Sequence, residues 1–270
     1  MTHASASISA RAAASVSGSG SPSPSDGAHP VRGPLVLAAA ADEVGVVAAR
    51  LVADHVRSHP TGVLGVATGA SPLRLYAALA ELRAEGLVTE GLTLAALDEY
   101  VGIEPADERS YHSYVVNHIA RPLGIPAFRV LVPHGSTQQD ADRYEATLRR
   151  LGGVGLQVVG IGRNGHIGFN EPGSSRDSGT RVVALSDDTR AANARYFAGD
   201  ADRVPSHAIT QGIATILAAS TIVLVASGAA KAWALDAALR GPVTADVPAS
   251  FLRTHPSVTV VADDEALRPA

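Results

Sequence analysis

The chain contains no cysteine, which excludes a disulfide framework, a thiolate nucleophile and a cysteine-based zinc site, and fits a reducing cytoplasm. A charge excess of one sign is also lacking. The 22 Lys+Arg stand against 26 Asp+Glu, a formal net charge of −4 with no run of like charge, so nothing points to a nucleic-acid partner or a membrane surface. Any anionic ligand must therefore be held by local groups. Residues 1–33, rich in Ala, Ser, Gly and Pro, have no apolar h-region, which argues against a secretory signal. They read as a disordered tail, with an organelle transit peptide as the alternative because the early part is poor in acids and carries Arg11. The one long uncharged stretch, Ala208–Ala230, is interrupted by Gly212, Thr215, Ser220, Thr221, Ser227 and Gly228. It divides into a helix, QGIATILAAS, and a strand, TIVLVAS, in preference to a membrane span.

What is present is a hydrophobic content of 46% over 270 residues, enough for a substantial core. From Pro34 onward β-rich runs alternate with helical patterns: LVLAA, GVLGVAT, LTLAAL, RVLVP, LQVVGIG, RVVAL, TIVLVAS and SVTVVAD are the strands. The helices between them are predicted over 42–57, 72–85, 111–119, 139–151, 188–197 and 230–239. This order implies βαβ units: an α/β fold with a doubly wound, mostly parallel sheet and helices on both faces. No internal repeat or second linker appears, so one domain is expected over 34–265, with 266–270 as a short C-terminal tail. In such sheets ligands bind beyond the carboxyl ends of the strands, which directs attention to four loops.

The loop GIGRNGHIGFNEPG, 160–173, matches G-x-G-x-x-G at Gly160, Gly162 and Gly165, the pattern of a dinucleotide fingerprint. That fingerprint must open a helix, and Gly168, Pro172 and Gly173 argue against one here. The glycines instead let the backbone approach a small ligand while His166 and Glu171 face it. Histidine takes and returns a proton near neutrality, and a neighbouring carboxylate fixes its tautomer and raises its basicity. Of ten histidines only this one lies in a glycine-rich loop at a strand end; the plainer alternative is a hydrogen bond to the loop backbone. In ATGASP, the residues Thr68, Gly69, Ala70 and Ser71 precede Pro72, a favoured first helical residue. Ser71 is placed to cap, leaving amides free for an anion such as phosphate. The alternative is an ordinary cap with nothing bound.

SGAAK repeats this arrangement and carries Lys231, the only lysine in the chain. A lysine is a point-charge phosphate binder, and the alternative is a solvated surface side chain. Two Ser/Gly turns and a cation suggest a phosphomonoester, which carries about −1.5 to −2 charges near pH 7. LDEY ends a strand with Asp98 and Glu99, whose side chains point to opposite faces, so only one enters the site. Asp98 is the choice: a partly desolvated carboxylate can abstract a proton next to a carbonyl or imine carbon. Its alternative role is to cap a helix.

Taken in order, LGVATGASPLRLYAAL, LDEYVGIEPADERSYHSYV, VVGIGRNGHIGFNEPGSS, LSDDTRAANARYF, VPSHAITQGIATIL and SGAAKAWAL resemble the glucosamine-6-phosphate deaminase family over roughly 35–263. The resemblance implies a Rossmann-like fold and conversion of glucosamine 6-phosphate and water to fructose 6-phosphate and ammonia, within N-acetylglucosamine catabolism in the cytoplasm. It implies no metal and no organic cofactor, and a homo-oligomer is left open. By this resemblance Asp98 moves the proton from C2 to C1, and His166, oriented by Glu171, opens the pyranose ring. Thr68, Gly69, Ala70 and Ser71 hold the phosphate with Arg195 and Lys231, and the segment DDTRAANARYF forms a lid that supplies Arg195.

Three positions depart from the family pattern. Asn164 stands where many members have Asp, which leaves the ring-opening relay to His166 and Glu171; Ala70 replaces a frequent Gly. Regulated members pair an Arg with a Lys two residues later, whereas Arg181 is followed at that spacing by Val183, so activation by N-acetylglucosamine 6-phosphate is expected to be weak or absent. The competing readings are a 6-phosphogluconolactonase-type hydrolase, a non-catalytic phosphosugar-sensing module and, last, a dinucleotide oxidoreductase.

Overall fold

The computed structural model describes residues 33–269; the expected N-terminal tail, apart from Gly33, lies outside them. Seven strands form the main sheet: β1 (Leu35–Ala39), β2 (Val63–Val66), β3 (Thr93–Ala96), β5 (Val130–Leu131), β6 (Leu156–Gly160), β9 (Thr221–Ala226) and β10 (Val258–Asp263). Three more, β4 (Asp98–Tyr100), β7 (Arg181–Ala184) and β8 (His207–Thr210), form a second sheet. The main sheet runs β1-β10-β9-β6-β2-β3-β5 with every pair parallel. Its central strands are apolar throughout because both faces are covered. Successive side chains alternate between faces, so Leu64 and Val66 join one core while Val63 and Ala67 join the other.

The first face carries α1 (Val44–Ser58), α2 (Ala70–Ala84) and α3 (Tyr111–Val115), which runs on as a π-helical turn at Val116–Ala120. The second carries α4 (Gln138–Arg150), α6 (Ile213–Leu217), α7 (Ala232–Arg240) and a 3-10 segment, Pro248–Thr254. The remaining helix, α5 (Asp187–Asn193), belongs to the segment that the sequence reads as a lid. In α2 the spacing of Leu75, Tyr76 and Leu79 puts all three in the core, and burying each such side chain contributes about 1.5–3 kcal/mol relative to exposure. The α4 start is fixed by a capping box in which Thr137 and Asp140 satisfy each other's backbone N–H.

The doubly wound sheet expected from the alternation of elements is present, and the second sheet is an addition to it. Its strands are antiparallel in the order β4-β8-β7, so RVVAL leaves the parallel series. The run TLAALDEY looks continuous in sequence but changes sheets at Leu97. The Leu97 N–H donates to Val66 O at 3.2 Å, while its carbonyl accepts from Gln211 N–H at 2.7 Å. Asp98 therefore starts a strand against Thr210 in place of ending one. A small core of Tyr100, Ile103, Phe169, Leu185, Phe197, Val204 and Ala208 lies beneath this sheet.

At the C-terminus packing continues past residue 265, since Ala266 is buried and Leu267 lies against the second core. No helix among the described residues is long and apolar enough to cross a membrane, and the uncharged stretch separates into β8, α6 and β9.

Candidate active site

The two adjacent acids at the start of β4 divide the work that the sequence left open. Glu99 is the capping acid: its carboxylate accepts from the N–H of Tyr100 at 2.9 Å, Tyr111 at 3.0 Å and His112 at 2.9 Å, which closes the first turn of α3. Asp98 points the other way, is equally buried and faces no cation. Burial first, then the Glu99 charge, push its carboxyl up to about 8 against one hydrogen bond from the Phe169 N–H. Tyr100 and Tyr111 lie nearby with hydroxyls 3.3 Å apart, and Asp98 helps to raise both phenols, behind the larger effect of burial.

The 160–173 loop, which carries the histidine, meets this carboxyl at Gly168 and Phe169. No helix follows its glycines; the next regular element is β7, as the breakers in the sequence imply. A methyl group at Gly162 would lie 2.2–2.4 Å from the His166 ring, so the ring rests on the bare Cα of Gly162. Gly168 has φ +56°, and its Cα faces the Asp98 carboxylate and the Thr210 hydroxyl. Asn170 ties the loop to the second sheet: its amide donates to Ile167 O at 2.9 Å and Gln211 O at 2.8 Å.

Behind His166, Glu171 Oε2 accepts from Asn164 Nδ2 at 2.7 Å and lies 3.6 Å from His166 Nδ1, which has no hydrogen-bond partner of its own. Asn164 Oδ1 also accepts from the His166 N–H at 3.2 Å. Asn164 is thus a member of the relay's framework, through neutral hydrogen bonds. The other carboxylate oxygen, Oε1, accepts from Ser186 Oγ at 3.1 Å and from Thr189 Oγ1. Burial raises the carboxyl of Glu171, but His166, Thr189 and Asn164 outweigh it and hold it down at about 2.

The first phosphate turn differs in detail from expectation. The α2 helix begins at Ala70 with Gly69 at the cap position, φ +106°, and Ser71 makes no capping bond. Pro72 is tolerated two residues in because the first turn needs no N–H donor. Two tyrosines fix this turn: Tyr76 donates to Ala67 O at 2.9 Å and accepts from Ala67 N–H at 3.0 Å, and Tyr114 donates to Gly69 O at 2.9 Å. Thr68 lies beside the Tyr111 hydroxyl.

The second turn does not repeat the first. The Gly228 N–H is occupied by the Asp263 carboxylate at 2.9 and 3.1 Å, and Lys231 ends a 3-10 turn where α7 begins, short of a full turn of helix. Its Nζ donates to Ile161 O at 2.6 Å, inside the histidine loop. Burial, then Arg163 and Arg195, hold its pKa below the ordinary lysine value. Three cations therefore gather without an acidic partner among them. Arg163, Tyr76, Tyr114, Ser186, Thr189 and Asp263 were not singled out from sequence; only Arg163, between Gly162 and Asn164, carried a signal through its place in the loop. Among the described residues no set of three or more His, Asp or Glu side chains converges as a metal site. Two surface concavities, one bordered by Val56 and Leu87 and one by Glu145 and Thr215, lie away from this cluster.

The fold has counterparts in known proteins. The model of the family described as glucosamine-6-phosphate isomerases/6-phosphogluconolactonase matches residues 37–261. The chain belongs to that family. Among curated members, a glucosamine-6-phosphate deaminase of Bifidobacterium longum (strain DJO10A) is 43% identical over 236 residues, covering 83% of this chain and 87% of the relative. One from Rhodopirellula baltica is 46% identical over 222 residues, covering 81% and 88%. A solved monomeric glucosamine-6-phosphate deaminase superposes with a TM-score of 0.82 at 42% identity, covering 86% of this chain and 98% of its own. A 6-phosphogluconolactonase from Leishmania guyanensis, at 22% identity, TM-score 0.68 and coverages of 86% and 97%, shares the fold.

Proposed function

We infer that this chain is an isomerising deaminase, converting glucosamine 6-phosphate and water to fructose 6-phosphate and ammonia. The observation that carries this reading is a buried, basic carboxyl, Asp98, against the same glycine loop that carries the His166–Glu171 pair and contacts Lys231, in a chain 43–46% identical to deaminases of that name. In this reading the amides and hydroxyls of Thr68, Gly69, Ala70 and Ser71, with Lys231 and Arg195, bind the phosphate. His166 takes the proton of the anomeric hydroxyl and returns it to the ring oxygen, which opens the pyranose. Asp98 removes the C2 proton and delivers it to C1 while one proton of the C2 ammonium passes to the C1 oxygen, giving an iminium at C2 that water hydrolyses to the ketose and ammonia. A carboxyl with a pKa of about 8 is largely protonated at rest near neutral pH, and the substrate's C2 ammonium supplies the positive charge that ionises it.

The absence of cysteine suits the cytoplasm, where this step of amino-sugar breakdown would be placed. Regulation by N-acetylglucosamine 6-phosphate is disfavoured on two counts. Val183 offers no charge, and Arg181 is engaged by Asn170 Oδ1 at 2.8 Å and Ser174 Oγ at 3.1 Å. Substrate saturation curves are expected to stay hyperbolic and unchanged by that ligand.

The direct test is to count ammonia and fructose 6-phosphate released from glucosamine 6-phosphate by the purified chain. Equal amounts support the deaminase; hydrolysis of 6-phosphogluconolactone without ammonia release would replace it with the lactonase reading, and binding without turnover with a sensing module.

A further inference from the structure

One short segment of chain bonds to one end of the site and lies within electrostatic reach of the other. Ser186 and Thr189, at the start of α5, donate their hydroxyls to Glu171 Oε1. Six residues after Thr189, Arg195 joins Arg163 in the positive surroundings of Lys231. Thr189 is buried and its neighbour Arg195 exposed, so the segment is anchored at the carboxylate and free at the cation. Meanwhile His166 Nδ1 is buried without a hydrogen-bond partner, 3.6 Å from Glu171 Oε2. That gap is just outside hydrogen-bond range. An unpaired buried ring nitrogen is costly, and a movement of about half an ångström by Glu171 is enough to satisfy it.

We propose that Thr189 is a positioning residue that couples phosphate binding to the proton shuttle: when Arg195 engages a phosphate, α5 carries Thr189 with it and draws Glu171 into hydrogen-bond contact with His166. This rests on the reading of Arg195 and Lys231 as phosphate ligands. A second link runs through the histidine loop itself, where Lys231 donates to Ile161 O at 2.6 Å, but it reaches Glu171 only from the side of His166. Arg190, also in α5, is spent on Ala201 O at 2.9 Å and on Asp187 and Asp202, and Asn164 bonds to Glu171 from the histidine's own loop. Closing the contact with an anionic carboxylate raises the basicity of His166, so the shuttle becomes competent when the substrate's phosphate is seated.

The test follows the His166 ring by NMR through a pH titration, with and without saturating inorganic phosphate at constant ionic strength, in the full chain and in Thr189→Val. Phosphate affinity is measured separately by competitive inhibition of turnover. Phosphate is expected to bind both proteins. It should raise the His166 midpoint by about half a unit or more in the wild type, by less than half as much in Thr189→Val, and fully again in Thr189→Ser. In parallel, Thr189→Val should lower kcat about tenfold with KM nearly unchanged. Ser186→Ala, which removes the other hydroxyl, gives a second measure should Thr189→Val fold poorly, and is expected to show a smaller loss in the same direction. An equal shift in wild type and variants would mean that phosphate acts on His166 through space alone, and would overturn the coupling. If phosphate binds but moves His166 in neither protein, the coupling also falls while the phosphate pocket stands. If phosphate does not bind the wild type, the pocket reading fails and the coupling with it.

Discussion

Two carboxylates of one site are held in opposite states by their surroundings. Asp98 is buried beside another acid with one backbone hydrogen bond, and its proton affinity rises to about 8. Glu171 is also partly buried, yet three neutral donors and a histidine surround it and hold it at about 2. The difference shows that burial alone does not decide the charge of an acid: donors and a histidine outweigh it at the partly buried Glu171, whereas at Glu99 three backbone donors leave the carboxyl raised. It also divides the chemistry: the starved carboxyl is basic enough to move a proton, and the satisfied one stays a fixed charge behind His166.

The strongest break in this comparison is Asp98→Asn. Proton transfer is lost, so turnover should fall about 10³-fold or more with little change in sugar-phosphate affinity, measured by product release and by calorimetry. The same change should stabilise the fold. A carboxyl whose pKa rises from 3.8 to about 8 on folding penalises the folded state increasingly as pH rises through that window. Asp98→Asn should therefore melt higher than wild type near pH 8, by about 2–4 °C for each kcal/mol of relief, and the gain should vanish near pH 4. Next in size is Gly162→Ala, whose methyl would occupy the space of the His166 ring. Displacing the imidazole by about an ångström should cost about 10²-fold in kcat, while the competitive inhibition constant for inorganic phosphate stays within about twofold. An unaffected kcat would show that His166 does not act from the position seen.

Glu171→Gln sharpens the other side. The amide keeps an acceptor for Thr189 or Asn164 but loses the charge behind the imidazole, so kcat should fall about tenfold. Here the linkage has the reverse sign. A carboxyl lowered from 4.5 to about 2 stabilises the folded state above pH 4.5, and that contribution is lost as pH falls toward 2. Thermal melts should show wild type losing more stability than Glu171→Gln across this acid window.

Much of this arrangement was legible as residue order. Strand and helix periodicities gave the parallel sheet, and Gly168, Pro172 and Gly173 correctly argued against a helix after the glycine loop. The His166–Glu171 pairing was visible because five residues of loop keep them close. The second sheet was not, since β4 looks like the tail of β3 and β8 like the approach to a helix; only the pairing of Asp98 with Thr210 separates them. Nor was the use of the Gly228 amide, which meets Asp263 from a strand 35 residues away. The choice between Asp98 and Glu99 came from strand alternation, but the reason Glu99 is unavailable, the start of α3 docking on its carboxylate, belongs to tertiary contacts.

By itself the sequence determined what is local or periodic: the α/β order, the loops that meet at the sheet's carboxyl edge and the residue types they bring. Only the tertiary structure decided the protonation of those residues and the links between them. Proton affinity depends on burial and on donors contributed by distant segments, as Phe169 does for Asp98 and Thr189 for Glu171, and spacing along the chain does not encode those distances.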